Sequence, residues 1–257
     1  MVLSDVLSES QIAELLRGCQ ELEKEFLETD RHRRGHRGPG RYSFGQTRRH
    51  WWVTPCEARR EWTDVAGLPA VAAVVDELLG QDALCVSMGG DFVLPGTSHS
   101  QYLHSDLFGW PEAGDDSKFG GRCPFLSVNF TVRPVYARDG PMRMLPGTHR
   151  NRGSKELPWR DTPSARCAGV APLPAGAAIF RDVRTWHSGT PNLGPRTRYL
   201  PSCEYVPYAY LELLSSRSLH DRWNSEHYKP QPGIMPPELY ADLSEEGKRF
   251  CRYLHQR

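Results

Sequence analysis

The chain has 257 residues, 39% of them hydrophobic, enough for one large core or two small ones. Its 32 Lys and Arg stand against 31 Asp and Glu, a formal charge of +1, which argues against a global polyanion-binding field but not against a local patch. No run approaches the ~18 consecutive apolar residues of a membrane-spanning helix, so no membrane partner is expected. The 23 Gly and 21 Pro imply many turns rather than disorder. The start, MVLSDVLSES, lacks a basic n-region and does not read as a signal peptide. Seven scattered cysteines without a C-x-x-C speak against a disulfide framework or a structural zinc site, and a cytoplasmic location is expected.

In chain order, residues 8–28 read as an amphipathic helix: Ile12, Leu15, Leu16, Cys19, Leu22 and Phe26 recur at steps of three and four, with Ser8 or Ser10 as N-cap. Residues 31–50 then hold seven Arg and three His with no acid. They read as a solvated surface loop, as a lid or anion-binding loop, or, third, as a nucleic-acid arm. A second helix is expected over 68–80, closed by Gly80. After it come short apolar runs broken by Gly, Pro and Asn, at 84–88, 91–94, 101–107, 125–132, 142–145, 177–180, 184–188 and 198–206. Such spacing suggests an all-β sandwich or barrel rather than βαβ units. The tail, about 209–253, reads as two helical pieces separated by KPQPGIMPP. The whole reads as one domain, 1–257, with a β core at about 84–206 and helical extensions over 1–83 and 207–257.

Neither a P-loop, a G-x-G-x-x-G, a G-x-S-x-G nor an H-E-x-x-H is present, which removes the simple cases for an NTPase, a dinucleotide enzyme, an α/β-hydrolase and a zincin. The informative stretch is QYLHSD, 101–106. On a strand, side chains two apart share a face, so His104 and Asp106 project together while Ser105 points away. These are two thirds of a 2-His-1-carboxylate triad, the non-haem Fe(II) arrangement with open coordination positions. His187, at the end of a short apolar run before Gly189, Pro191 and Asn192, is the natural third ligand. His149, in PGTH, competes with it. Arg196 and Arg198 follow His187 on a further strand candidate. An arginine turned toward an open iron site needs an anion, and its planar fork suits a carboxylate.

With those residues in place, the chain resembles the phytanoyl-CoA dioxygenase family of Fe(II)/2-oxoglutarate-dependent oxygenases. The matching pieces are QYLHSD, FLSVNFTVRPVYARDGPMRMLPGTHR and LPAGAAIFRDVRTWHSGTPNLGPRTR, in the family's order. The resemblance implies a mainly β fold, a double-stranded β-helix (jelly-roll) core with flanking α-helices. It implies His104, Asp106 and His187 as catalytic iron ligands, with Fe(II), 2-oxoglutarate and O2 as cofactor and co-substrates. It places the arginine for the distal carboxylate of 2-oxoglutarate eleven residues after the second histidine, at Arg198, with Arg196 in reserve. Gln101, Asn129 and Thr131 are further candidates for co-substrate contacts. Many members carry Ser two residues after that histidine; here the position is Gly189, between Ser188 and Thr190. Retention of Asp106 favours a hydroxylase or desaturase over the related halogenases.

The expected reaction is oxidation, foremost hydroxylation, of a C–H bond of a small-molecule metabolite, forming succinate and CO2. An anionic substrate would suit the basic loop. Trp51, Trp52, Phe108, Trp110 and Trp186 are aromatic candidates for the pocket wall. Two other readings stand beside this one: an oxygenase acting on protein or nucleic acid, the latter disfavoured by the balanced charge, and a catalytically silent jelly-roll binding module.

Overall fold

The computed structural model describes residues 1–45, 54–106, 123, 125–150, 168, 169, 171–215 and 232–256. The first helix, α1 (Glu9–Thr29), begins at a capping box in which Ser8 accepts from the Gln11 amide and the Gln11 side chain returns to the Ser8 amide. Its periodic stripe is the buried face: Leu15, Cys19, Leu22 and Phe26 enter the main core. Helix α2 (Arg60–Ala66) has no counterpart in the sequence expectations, because seven residues are too few to show a period. Helix α3 (Pro69–Leu79) starts with Pro in its first turn and stops at Gly80, which takes a φ of 101°.

The strands are β1 (Val2–Leu3), β2 (Arg41–Phe44), β3 (Leu84–Val93), β4 (Leu126–Phe130), β5 (Met142–Met144), β6 (Ala168–Gly169), β7 (Ala178–Asp182), β8 (His187–Gly189) and β9 (Arg198–Val206). Six form an antiparallel sheet in the order β1-β7-β4-β9-β3-β2, and three form a second in the order β6-β5-β8. The two runs expected at 84–88 and 91–94 are one strand. Gly90, with φ 143°, lies so close to β9 that a Cβ there would stand 2.4 Å from the Leu200 carbonyl oxygen, so the pair that reads as a break is where backbones meet. The tail carries α4 (Tyr208–Ser215), α5 (Pro237–Ala241) and α6 (Glu245–His255). None of the described helices is long and apolar enough to cross a membrane.

Alternation along the strands assigns the two faces of the larger sheet. Val128 and Phe130 of β4, Phe180 of β7, and Cys203 and Tyr205 of β9 pack with α1, α2, α3 and α6 in one apolar cluster. Their neighbours in sequence, Ser127, Asn129, Arg181, Ser202 and Glu204, line a cavity on the opposite face. The register sets them in rows, Ser127 opposite both Arg181 and Glu204, and Asn129 opposite Ser202. Met142, His187 and Gly189 of the smaller sheet line the same cavity, which therefore sits between the two sheets.

On the apolar side, Glu57 is buried with Oε1 accepting from the Met88 amide at 2.9 Å and Oε2 without a hydrogen-bond partner. Burial pushes its pKa up to about 7. The folded state thus holds this proton more tightly than the unfolded chain, so stability falls as pH rises from the ordinary Glu range to about 7 and is flat above it. Glu57→Gln should flatten that slope, recovering on the order of 2–3 kcal/mol at pH 8 relative to pH 5 in paired denaturant melts. Parallel slopes for the two proteins would refute the assignment.

A candidate metal centre between the two sheets

Residues 101–106, the described part of the strand expected over 101–107, run antiparallel beside β8 but pair with it at one residue only. His104 and His187 exchange backbone hydrogen bonds of 2.9 and 2.7 Å, flanked by Gln101 N–H to the Gly189 carbonyl and Asp106 N–H to the Val183 carbonyl. This suffices to set the side chains. His104 Nε2 lies 3.7 Å from Asp106 Oδ1, His187 Nε2 lies 3.5 Å from Asp106 Oδ2, and the two imidazole centroids are 4.4 Å apart. One donor atom from each of the three falls within 4.8 Å of the others. No other such cluster of His, Cys, Asp or Glu occurs among the described residues.

The surrounding contacts prepare these groups to hold a cation. His104 Nδ1 faces the Tyr102 carbonyl at 2.8 Å and His187 Nδ1 faces the Thr185 carbonyl at 2.9 Å. A carbonyl can only accept, so each Nδ1 carries the proton and each Nε2 lone pair is left toward Asp106. Burial, aided by the charge of Arg181, pulls the His187 pKa down to about 3, which keeps the ring neutral. Burial opposes ionisation of Asp106, but the adjoining Arg181 guanidinium favours the carboxylate, and the carboxyl is held well below the usual range. Arg181 Nη1 donates to Asp106 Oδ2 at 2.7 Å. Two neutral imidazoles and one carboxylate on one side of a cavity fit a divalent transition metal with open positions.

Arg181 was not foreseen. It lies one residue past the run expected at 177–180, and strand β7 continues to Asp182, which puts Arg181 on the cavity face.

The other expected residues divide. Arg198 is 5% exposed at the start of β9 and lines the cavity, its Nε donating to the Gly140 carbonyl at 3.1 Å and its Nη1 to Asp91. Arg196 is exposed, because the turn continues to Thr197 and strand alternation begins only at Arg198. Gln101 and Asn129 line the cavity. Thr131 is a correction: β4 ends at Phe130, and the Thr131 hydroxyl is used in the loop, donating to the Pro174 carbonyl at 2.7 Å and accepting from the Ala177 amide at 2.9 Å. It is not among the described cavity-lining residues. Nor is His149, which sits in a short 3-10 turn after β5, or Trp186. Trp51, Trp52, Phe108, Trp110 and the end of the basic stretch, 46–50, lie outside the described residues.

Comparison with known proteins supplies the identity of this arrangement. Residues 1–199, more than three quarters of the chain, match the sequence profile described as phytanoyl-CoA dioxygenase (PhyH). The chain belongs to the phytanoyl-CoA dioxygenase family. It is a non-haem iron enzyme that depends on 2-oxoglutarate, and its cofactor set is Fe(II) with 2-oxoglutarate.

Solved structures share the fold at low identity. The non-haem 2-oxoglutarate-dependent epimerase SnoN from nogalamycin biosynthesis is 20% identical with a TM-score of 0.58, over 80% of this chain and 76% of that one. HygX from Streptomyces hygroscopicus, solved with nickel, 2-oxoglutarate and hygromycin B, is 14% identical with a TM-score of 0.56, over 81% and 82%. The non-haem monooxygenase ThoJ, as a nickel complex, is 18% identical with a TM-score of 0.56, over 80% and 73%.

Proposed function

We propose that the protein is an Fe(II)- and 2-oxoglutarate-dependent dioxygenase that oxidises, foremost hydroxylates, a C–H bond of a small-molecule metabolite. In this reading the chain is one catalytic domain with a double-stranded β-helix core, His104, Asp106 and His187 hold the iron, and Arg198 receives the distal carboxylate of 2-oxoglutarate. The observation that carries it is the convergence of a His–Asp–His cluster and a buried arginine in one cavity. Small-molecule substrates are supported by HygX, solved with hygromycin B, and SnoN, solved with nogalamycin RO.

The bound iron, with 2-oxoglutarate and O2, supplies an oxidant strong enough to remove hydrogen from a C–H bond, leaving succinate and CO2. The chain supplies geometry. The Tyr102 and Thr185 carbonyls fix the ring orientations of His104 and His187, and Arg181 fixes the carboxylate of Asp106. Burying His187 and Arg198 between the two sheets strengthens the charge interactions that they make there. Arg198 serves through its planar fork, which meets a carboxylate along two parallel N–H···O bonds.

The test is anaerobic addition of Fe(II) and then 2-oxoglutarate, followed by admission of oxygen. A visible charge-transfer band, and then oxygen-dependent formation of succinate, is the expected result. Metal-loaded protein that gives neither would refute the reading and favour a silent binding module.

A further inference from the structure

The basic stretch is not one loop. Arg31, Arg33 and Arg34 are exposed as a solvated segment would be, but the chain then turns inward, and residues 41–44 form the edge strand β2. Arg41 is 3% exposed, as buried as Arg198, and lines the same cavity. Its Nη2 donates at 2.6 Å to the carbonyls of both His99 and Thr190. Its Nη1 is buried and has no hydrogen-bond partner. A buried guanidinium nitrogen without an acceptor is costly, so a site that keeps one is built for an acceptor that arrives from outside.

The surroundings say which one. Burial, together with the nearby charge of Arg198, pulls the Arg41 pKa down to about 10, still cationic at neutral pH. Asp91 pairs with Arg198 and Asp106 with Arg181, whereas Arg41 has no carboxylate partner among the described residues. Nη1 also lies directly over Gly189, where a Cβ would stand 2.6 Å from it and 2.8 Å from Gln101 Oε1. Gly189 is two residues from His187 on β8, so this unpartnered nitrogen lies on the face of β8 that also carries His187. The hydroxyls on either side of Gly189 face elsewhere: Ser188 Oγ accepts from Arg143 Nε at 2.6 Å, and Thr190 Oγ1 donates to the Pro141 carbonyl at 2.7 Å.

On the reading of the site given above, we infer that Arg41 is a second arginine for the distal carboxylate of 2-oxoglutarate, shared with Arg198 and admitted by the missing side chain at Gly189. The alternative is that Arg41 only ties the 99–106 segment to the end of β8.

Two affinities separate these. Co(II) titration of the apoprotein reads the metal site, and the anaerobic Fe(II) charge-transfer band reads 2-oxoglutarate. Arg41→Ala should weaken 2-oxoglutarate by about 10–100-fold and leave Co(II) affinity unchanged, with partial recovery in Arg41→Lys. Gly189→Ala, which displaces the guanidinium without deleting it, should weaken 2-oxoglutarate in the parent but add little to Arg41→Ala. This second variant carries the test if Arg41→Ala does not fold. A 2-oxoglutarate affinity within twofold of the parent in both variants overturns the inference. So does an equal loss of Co(II) and 2-oxoglutarate, which marks a structural strut. Absence of any band in the parent protein would instead refute the proposed function itself.

Discussion

His187→Ala abolishes the charge-transfer band of the Fe(II)–2-oxoglutarate complex, while His149→Ala leaves it intact; this is the largest expected effect. His187 Nε2 faces Asp106 at 3.5 Å with its lone pair free, since Nδ1 is occupied by the Thr185 carbonyl. Removing it leaves two donors, one of them, Asp106, already drawn toward Arg181 at 2.7 Å. Loss of an outer partner of a metal ligand typically costs about 10–100-fold in metal affinity, so loss of a ligand should exceed about 100-fold. His149 has no place in the cavity lining, and its variant should bind Fe(II) and 2-oxoglutarate as the parent does. Circular dichroism on both variants checks that the fold is intact. A band lost with His149 and kept without His187 would mean that the cluster is not the metal site.

Arg198→Ala is expected to have the second largest effect, on the co-substrate alone. Truncating one member of a buried, hydrogen-bonded charge pair costs about 2–5 kcal/mol, which converts to a dissociation constant roughly 30–5,000-fold weaker for 2-oxoglutarate. The Asp91 carboxylate, left without its partner beside the cavity, adds repulsion toward the incoming anion. Fe(II) binding in the absence of 2-oxoglutarate should change little, because Arg198 is not part of the His–Asp–His cluster. Arg196→Ala is the matched control: it removes the same charge two residues away from an exposed position and should shift the affinity by less than about twofold. A 2-oxo acid without the distal carboxylate sharpens the measurement, since Arg198→Ala should barely alter its binding. Equal losses for both acids would place Arg198 in support of the fold rather than on the carboxylate.

What could be read from the sequence was local. The period of α1 and its Ser8 cap, the Gly80 stop of α3, and the apolar runs that form β4, β7 and β9 each depend on residues within one element, so the string of residues determines them. His104 and Asp106 were legible for the same reason, because two positions apart on an extended backbone is a statement about direction. His187 and the pair Arg196 and Arg198 stood out only as candidates, with His149 competing, and the resemblance singled out His187 and Arg198, since spacing along the chain does not measure distance across a cavity.

The tertiary structure decided the rest. It chose which face of β7 carries Arg181 to Asp106, a choice that period two leaves open. It ended β4 at Phe130, two residues short of the expected run, and gave the Thr131 hydroxyl to the loop that holds Pro174 and Ala177. It also turned Arg41 from one of seven arginines in a basic run into a buried cation beside Arg198, through the pairing of β2 with β3. Composition marks such a run as solvated because most of its charges are. One guanidinium is taken out of water by a strand pairing some fifty residues away in the chain, and no local pattern records that.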